Sequence, residues 1–69
     1  MDKEYRLKMY ELYSKLRDNC NFIDADVAKA TGIAPSTFSD WKAGRSAPKV
    51  EKLIRIADLL KVSLKELVP

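Results

Sequence analysis

Ser39 and Cys20 are the candidate nucleophiles of this chain, and Asp24 is a carboxylate that could serve one of them. Catalysis through a hydroxyl or thiol needs an adjacent base, itself oriented by a third group. The sequence has no histidine, no glycine-rich phosphate loop and no second member of a triad at workable spacing, so no enzyme is expected. Cys20 has no second cysteine with which to form an internal disulfide, and no Cys/His set is present for zinc. We expect no metal or cofactor, and read Cys20 as a small apolar residue near a helix end. Tyr5, Tyr10 and Tyr13 could offer bases a stacking platform. Their helical spacing fits packing, or an exposed surface for a partner, better. Trp41 could also stack on a base, but its spacing is that of a core residue.

What remains is polar recognition. Ser36, Thr37, Ser39 and Asp40 place small hydrogen-bonding side chains in one short stretch, with Lys29, Lys42, Arg45 and Lys49 around it. Such cations can form an ordinary solvated surface. Their clustering around one short helix suits contact with phosphates. The whole chain, 69 residues with a net charge of +3, is only mildly basic, which permits a polyanionic partner without requiring one. With 46% hydrophobic and 33% charged residues it is expected to form a single globular domain, residues 1–69, with a thin core. No apolar run approaches a membrane span. Met1 to Arg6 is charged and carries no signal-peptide apolar segment, so the expected location is cytoplasmic.

The elements that must position these residues are all helical, since apolar residues recur three or four apart and no segment alternates like a strand. A first helix spans about Lys3 to Asn19, with Tyr5, Met9, Leu12 and Leu16 on one face, widened by Tyr13 and Cys20. A second spans about Asp24 to Thr31, with Asp24 as N-cap, Val27 and Ala28 inward, and Gly32 as its stop. Pro35 suits the first position of a third helix, which runs to about Ala43 and is closed by Gly44. Phe38 and Trp41 should point to the core, leaving Ser36, Ser39, Asp40 and Ala43 outward. A fourth helix spans about Lys49 to Leu60, with Val50, Leu53, Ile54, Ala57 and Leu60 inward. Ser63 and Glu66 form a capping box that opens a fifth, about residues 64–68.

Two short helices flanking Gly32-Ile33-Ala34 have the form of a helix-turn-helix, although an ordinary helical hairpin has the same spacing. Ala28 allows the helices to approach, and Ile33 plugs the corner. The outward face of the third helix carries only small side chains, which let a helix enter a groove about 12 Å wide.

The run Val27-Ala28-Lys29-Ala30-Thr31-Gly32-Ile33, then Ser36 to Arg45, then Pro48, resembles the Cro/repressor-type helix-turn-helix family, also called lambda-repressor-like or XRE. So do Leu53 to Leu67 and, at the end of the first helix, Leu16-Arg17. The resemblance covers nearly all of the chain from about Leu12. It implies an all-α domain of five helices, with the third in the major groove of double-stranded DNA. It places base reading on Pro35, Ser36, Thr37, Ser39 and Asp40. Backbone contacts fall on Asp24, Ala43, Arg45 and Ser46, with Lys49 assisting; Lys42 is a further candidate for phosphate. The family commonly has glutamine at the positions of Asp24 and Pro35. It often has an acid at the position of Lys42, to pair with the arginine here numbered Arg17. The resemblance also implies a transcription regulator, of the repressor kind, binding as a homodimer to a palindromic or near-palindromic operator. An alternative is a protein-interaction module on the same fold, binding an anti-repressor, a toxin or another regulator. Asp24, Asp26 and Asp40 are its best support.

Overall fold

The computed structural model of the protein describes residues 2–69. Helix α1 (Lys3–Asn19) starts at Asp2, whose carboxylate accepts the Tyr5 amide at 2.8 Å. It ends where Asn21 turns into the left-handed region at φ 60°, a conformation asparagine tolerates. Helix α2 (Asp24–Thr31) corrects one expectation. Ile23, not Asp24, is the N-cap, in extended backbone, and the Asp26 carboxylate accepts the Ile23 amide at 3.0 Å. Isoleucine has no acceptor to return the bond, so the cap is one-sided and Asp24 is the first helical residue. Gly32 ends the helix at φ 75°, its amide bonded to the Ala28 carbonyl at 2.9 Å.

Helix α3 (Pro35–Lys42) begins with proline at its first position, as expected. Lys49 is the N-cap of α4 (Val50–Leu60). The expected fifth helix is instead a 3-10 turn, Leu64–Leu67, so the described residues form four α-helices and one such turn. The Ser63–Glu66 start is present, the Glu66 carboxylate accepting the Ser63 amide at 3.0 Å. The turn closes through i→i+3 bonds, Glu66 to Ser63 and Val68 to Lys65. Val68 precedes Pro69 and is extended at φ −107° and ψ 123°. The proline ring disfavours helical backbone in the residue before it, so the turn stops at Leu67.

The core draws on every element: Met9 and Tyr13 from α1, Val27 and Ala28 from α2, Phe38 and Trp41 from α3, and Leu53, Ile56, Ala57 and Leu60 from α4. Ile33 and Leu67 complete it. Tyr5, Leu16 and Cys20 pack against its edge. Two inward assignments on α4 are corrected. Val50 is 62% exposed and Ile54 44% exposed, whereas Ile56 is fully enclosed. A helix so rich in aliphatics supports two overlapping stripes three and four apart. Contact with α2 and with the 3-10 turn selects the stripe 53, 56, 57 and 60. No helix among the described residues is long and apolar enough to cross a membrane.

Candidate nucleic-acid interface

The α2–turn–α3 unit is held from behind. Ile33 is 4% exposed and fills the corner, and Ala28 lies buried at the approach of α2. Phe38 and Trp41 anchor α3 against α1. The Trp41 ring stacks on Tyr13 with centroids 4.8 Å apart, and Tyr10 meets it edge-on at 5.5 Å. The indole Nε1 has no oxygen or nitrogen partner, being enclosed among these rings. Anchored in this way, α3 leaves Pro35, Ser36 and Ser39 exposed and Thr37 and Asp40 half-buried. Its N-cap, Ala34, supplies no side-chain hydrogen bond, so the first turn keeps a free amide at Ser36.

The exit of α3 is built as tightly as its entry. Gly44 is left-handed at φ 75°; its amide bonds to the Trp41 carbonyl and that of Arg45 to the Asp40 carbonyl, both at 2.9 Å. This is a Schellman termination, with Asp40 three residues before the cap and Arg45 two after it. A Cβ on Gly44 would lie 2.9 Å from Lys3 Cγ and 3.1 Å from the Leu7 side chain. The Arg6 Nε donates to the Gly44 carbonyl at 2.8 Å, so the start of α1 clamps the loop. The same termination brings the side chains of Asp40 and Arg45 together: Nε and Nη2 each lie 3.0 Å from Oδ1. Lys42, Arg45, Ser46 and Lys49 are exposed around this exit and Ala43 is half-buried; Lys29 is exposed on α2.

Asp24 is placed differently from the other expected contacts. Its carboxylate accepts the hydroxyls of Tyr10 and Tyr13, each at 2.7 Å, and the Arg17 guanidinium at 2.8 Å. Arg17 also pairs with Asp18 at 2.8 Å. Burial alone would raise the Asp24 pKa; the hydrogen bonds from Tyr10, Tyr13 and Arg17 outweigh it and hold the carboxyl below its usual range. Burial and the adjacent carboxylate push both phenols up, Tyr13 the further. Burial would lower the Arg17 pKa, but hydrogen bonds to Asp18, Asp24 and Tyr10 raise it. Sequence reasoning missed this cluster. Its signal was the stripe Tyr10, Tyr13 and Arg17 on one helix face, followed by an acid at the start of the next helix.

Comparison with known proteins agrees with this geometry. A model of the helix-turn-helix family matches residues 14–67. The chain belongs to the Cro/repressor-type helix-turn-helix family. A relative in Vibrio cholerae serotype O1, the cryptic phage CTXphi transcriptional repressor RstR, is 31% identical over 61 residues. The match takes in 88% of this chain and 54% of the relative, so the chain spans about half the length of that protein. No solved structure matches.

The departures from the family's habit now acquire a physical account. The arginine at Arg17, often paired with an acid on the third helix, finds its partner on α2 instead, in Asp24. Lys42, which stands where that acid would be, is exposed at the end of α3 and makes no ion pair among the described residues. Moving the acid one helix earlier preserves a tether from α1 to the helix-turn-helix and adds a cation beside the outward face of α3. No group of His, Cys, Asp and Glu among the described residues is arranged to hold a metal ion.

Proposed function

We propose that this chain is a sequence-specific regulator of transcription, of the repressor kind, that reads the major groove of double-stranded DNA with α3. One observation carries the reading. Phe38 and Trp41 are buried while Pro35, Ser36, Ser39 and part of Asp40 face outward, flanked by the exposed cations Lys42, Arg45 and Lys49. Side chains this small let the helix axis approach the base edges, where Ser, Thr and Asp find partners. Arg45, Ser46 and Lys49, with Lys42, lie where the phosphate backbone would pass, and the uncapped Ser36 amide adds a donor at the positive end of the α3 dipole. Asp24 serves the interface indirectly: its carboxylate fixes α2 against α1, and a contact to phosphate would come from the helix backbone rather than from that side chain. The resemblance to a phage transcriptional repressor supports the repressor role.

One recognition helix reads only a few base pairs, so we infer a homodimer on a palindromic or near-palindromic site, with half-sites about 34 Å apart. Such a protein acts where its DNA lies, in the cytoplasm. The test is selection of bound duplexes from a random pool, followed by titration over a range of salt. The expected result is a two-fold symmetric consensus and affinity that falls steeply with salt. No enrichment, with a protein partner bound at an affinity insensitive to salt, would favour an interaction module instead. A footprint covering one isolated half-site would refute the dimer.

A further inference from the structure

We propose that Asp40 sets sequence discrimination by holding Arg45 away from the phosphate backbone until a base amino group takes its place. The inference rests on the DNA-binding reading above and deepens it. Asp40 and Arg45 are five residues apart, too far for ordinary neighbours along a helix, yet Nε and Nη2 of Arg45 both lie 3.0 Å from Asp40 Oδ1. The main chain enforces this. The Arg45 amide bonds the Asp40 carbonyl at 2.9 Å and that of Ser46 reaches the same carbonyl at 3.4 Å, with Gly44 left-handed between them. The positions joined are those where a Schellman termination brings side chains into contact. Here the contact is ionic, and it joins a residue on the outward side of α3 to one of the exposed cations that follow the helix.

The two side chains remain 64% and 44% exposed, so the pair is breakable. An exposed pair of this kind shifts an equilibrium by about two- to fivefold. On an arbitrary duplex the protein has two poor choices. With the pair intact, Arg45 is withheld from phosphate. With it broken, an unpaired carboxylate is left among phosphates. Cytosine resolves this, because its N4 amino group donates to a carboxylate in the major groove. With Asp40 satisfied by the base, Arg45 is released to the backbone. One ion pair thus couples a base contact to a phosphate contact, and Asp40 penalises wrong sequences more than it strengthens the right one.

The experiment measures binding of the wild type, Asp40→Asn, Arg45→Ala and the double variant. The duplexes are an enriched site, the same site with the cytosine opposite Asp40 replaced by thymine, and a random duplex of equal length, each over several salt concentrations. Asp40→Asn is expected to strengthen random-duplex binding about two- to fivefold. Its salt dependence should steepen by about one phosphate contact. Its preference for cytosine over thymine at that position should be lost. In the Arg45→Ala background Asp40→Asn relieves only the repulsion of an unpaired carboxylate, so random-duplex binding should strengthen less than in the wild type and the salt dependence should not steepen by a further phosphate contact. Equal strengthening on all three duplexes, and equally without Arg45, would mean that the carboxylate acts only by repulsion; that overturns the coupling while leaving DNA binding intact. Absence of salt-dependent binding to any duplex, by the wild type and Asp40→Asn alike, overturns the DNA-binding reading and this inference with it.

Discussion

Replacing Asp24 with alanine removes the one acceptor shared by Tyr10, Tyr13 and Arg17, at 2.7, 2.7 and 2.8 Å. Each hydrogen bond to a charged group contributes about 1.5–3 kcal/mol net when well buried. The full sum does not apply here. The Asp24 side chain is 27% exposed, Arg17 keeps Asp18 as a partner, and water can reach part of the vacated space. The phenol of Tyr13 is the group left worst off, since that residue is fully enclosed. We therefore expect a loss of about 2–3 kcal/mol, below the 3–5 that accompanies breaking a fully buried pair. For a domain this small, that lowers Tm by roughly 10–20 °C. The assay is thermal and urea unfolding followed by circular dichroism. The urea slope should stay constant, showing that native and unfolded states keep their compactness. Because Asp24 ionises below its ordinary range when folded, its stabilisation is present above the unfolded carboxyl pKa, near 4, and disappears as pH falls through the lower folded value. The difference between wild type and Asp24→Asn should therefore shrink in acid. Combined with Tyr13→Phe, Asp24→Ala should cost less than the sum of the two single changes. A Tm drop below about 4 °C, or strict additivity with Tyr13→Phe, would refute the view that this carboxylate joins α1 to α2.

Three further outcomes follow from the packing. Gly44→Ala should destabilise by about 2–3 kcal/mol and Gly32→Ala by about 1, because both glycines are left-handed but only Gly44 has α1 side chains where a Cβ would go; comparative urea melts decide, and equal losses would deny the clamp. Ile56→Ala should cost about 2–4 kcal/mol, whereas Ile54→Ala, at a position 44% exposed, should stay near the range of surface changes at about 0.5 or less; the same melts separate them. In alkali the raised phenols of Tyr13 and Tyr10 keep their protons in the fold, so stability is full below the unfolded pKa near 10 and is lost as pH rises above it; Tyr13→Phe should flatten this limb in unfolding followed between pH 9 and roughly 12.

Much of the molecule was legible in one dimension because its signals are local. Pro35 at a helix start, Gly32 and Gly44 at helix ends, and apolar residues at helical spacing need only neighbouring backbone to act, and all three recur in the fold as the sequence implies. The burial of Phe38 and Trp41, and with it the outward face of α3, belongs to the same class, since on one helix a buried stripe dictates the opposite one. What required the tertiary structure were choices among partners distant in sequence. Two stripes on α4 were equally apolar, and only contact with α2 and the 3-10 turn buried Ile56 and exposed Ile54. The Asp24 carboxylate could have capped its own helix, but two phenols and a guanidinium on α1 form more hydrogen bonds with it than a single amide offers. Asp40 and Arg45 carry no spacing that announces a pair, because they meet only where the chain reverses through Gly44. Local backbone preference therefore determined where the helices begin and end, whereas competition between long-range partners decided which polar groups stay outward around α3 and which hold the helices together.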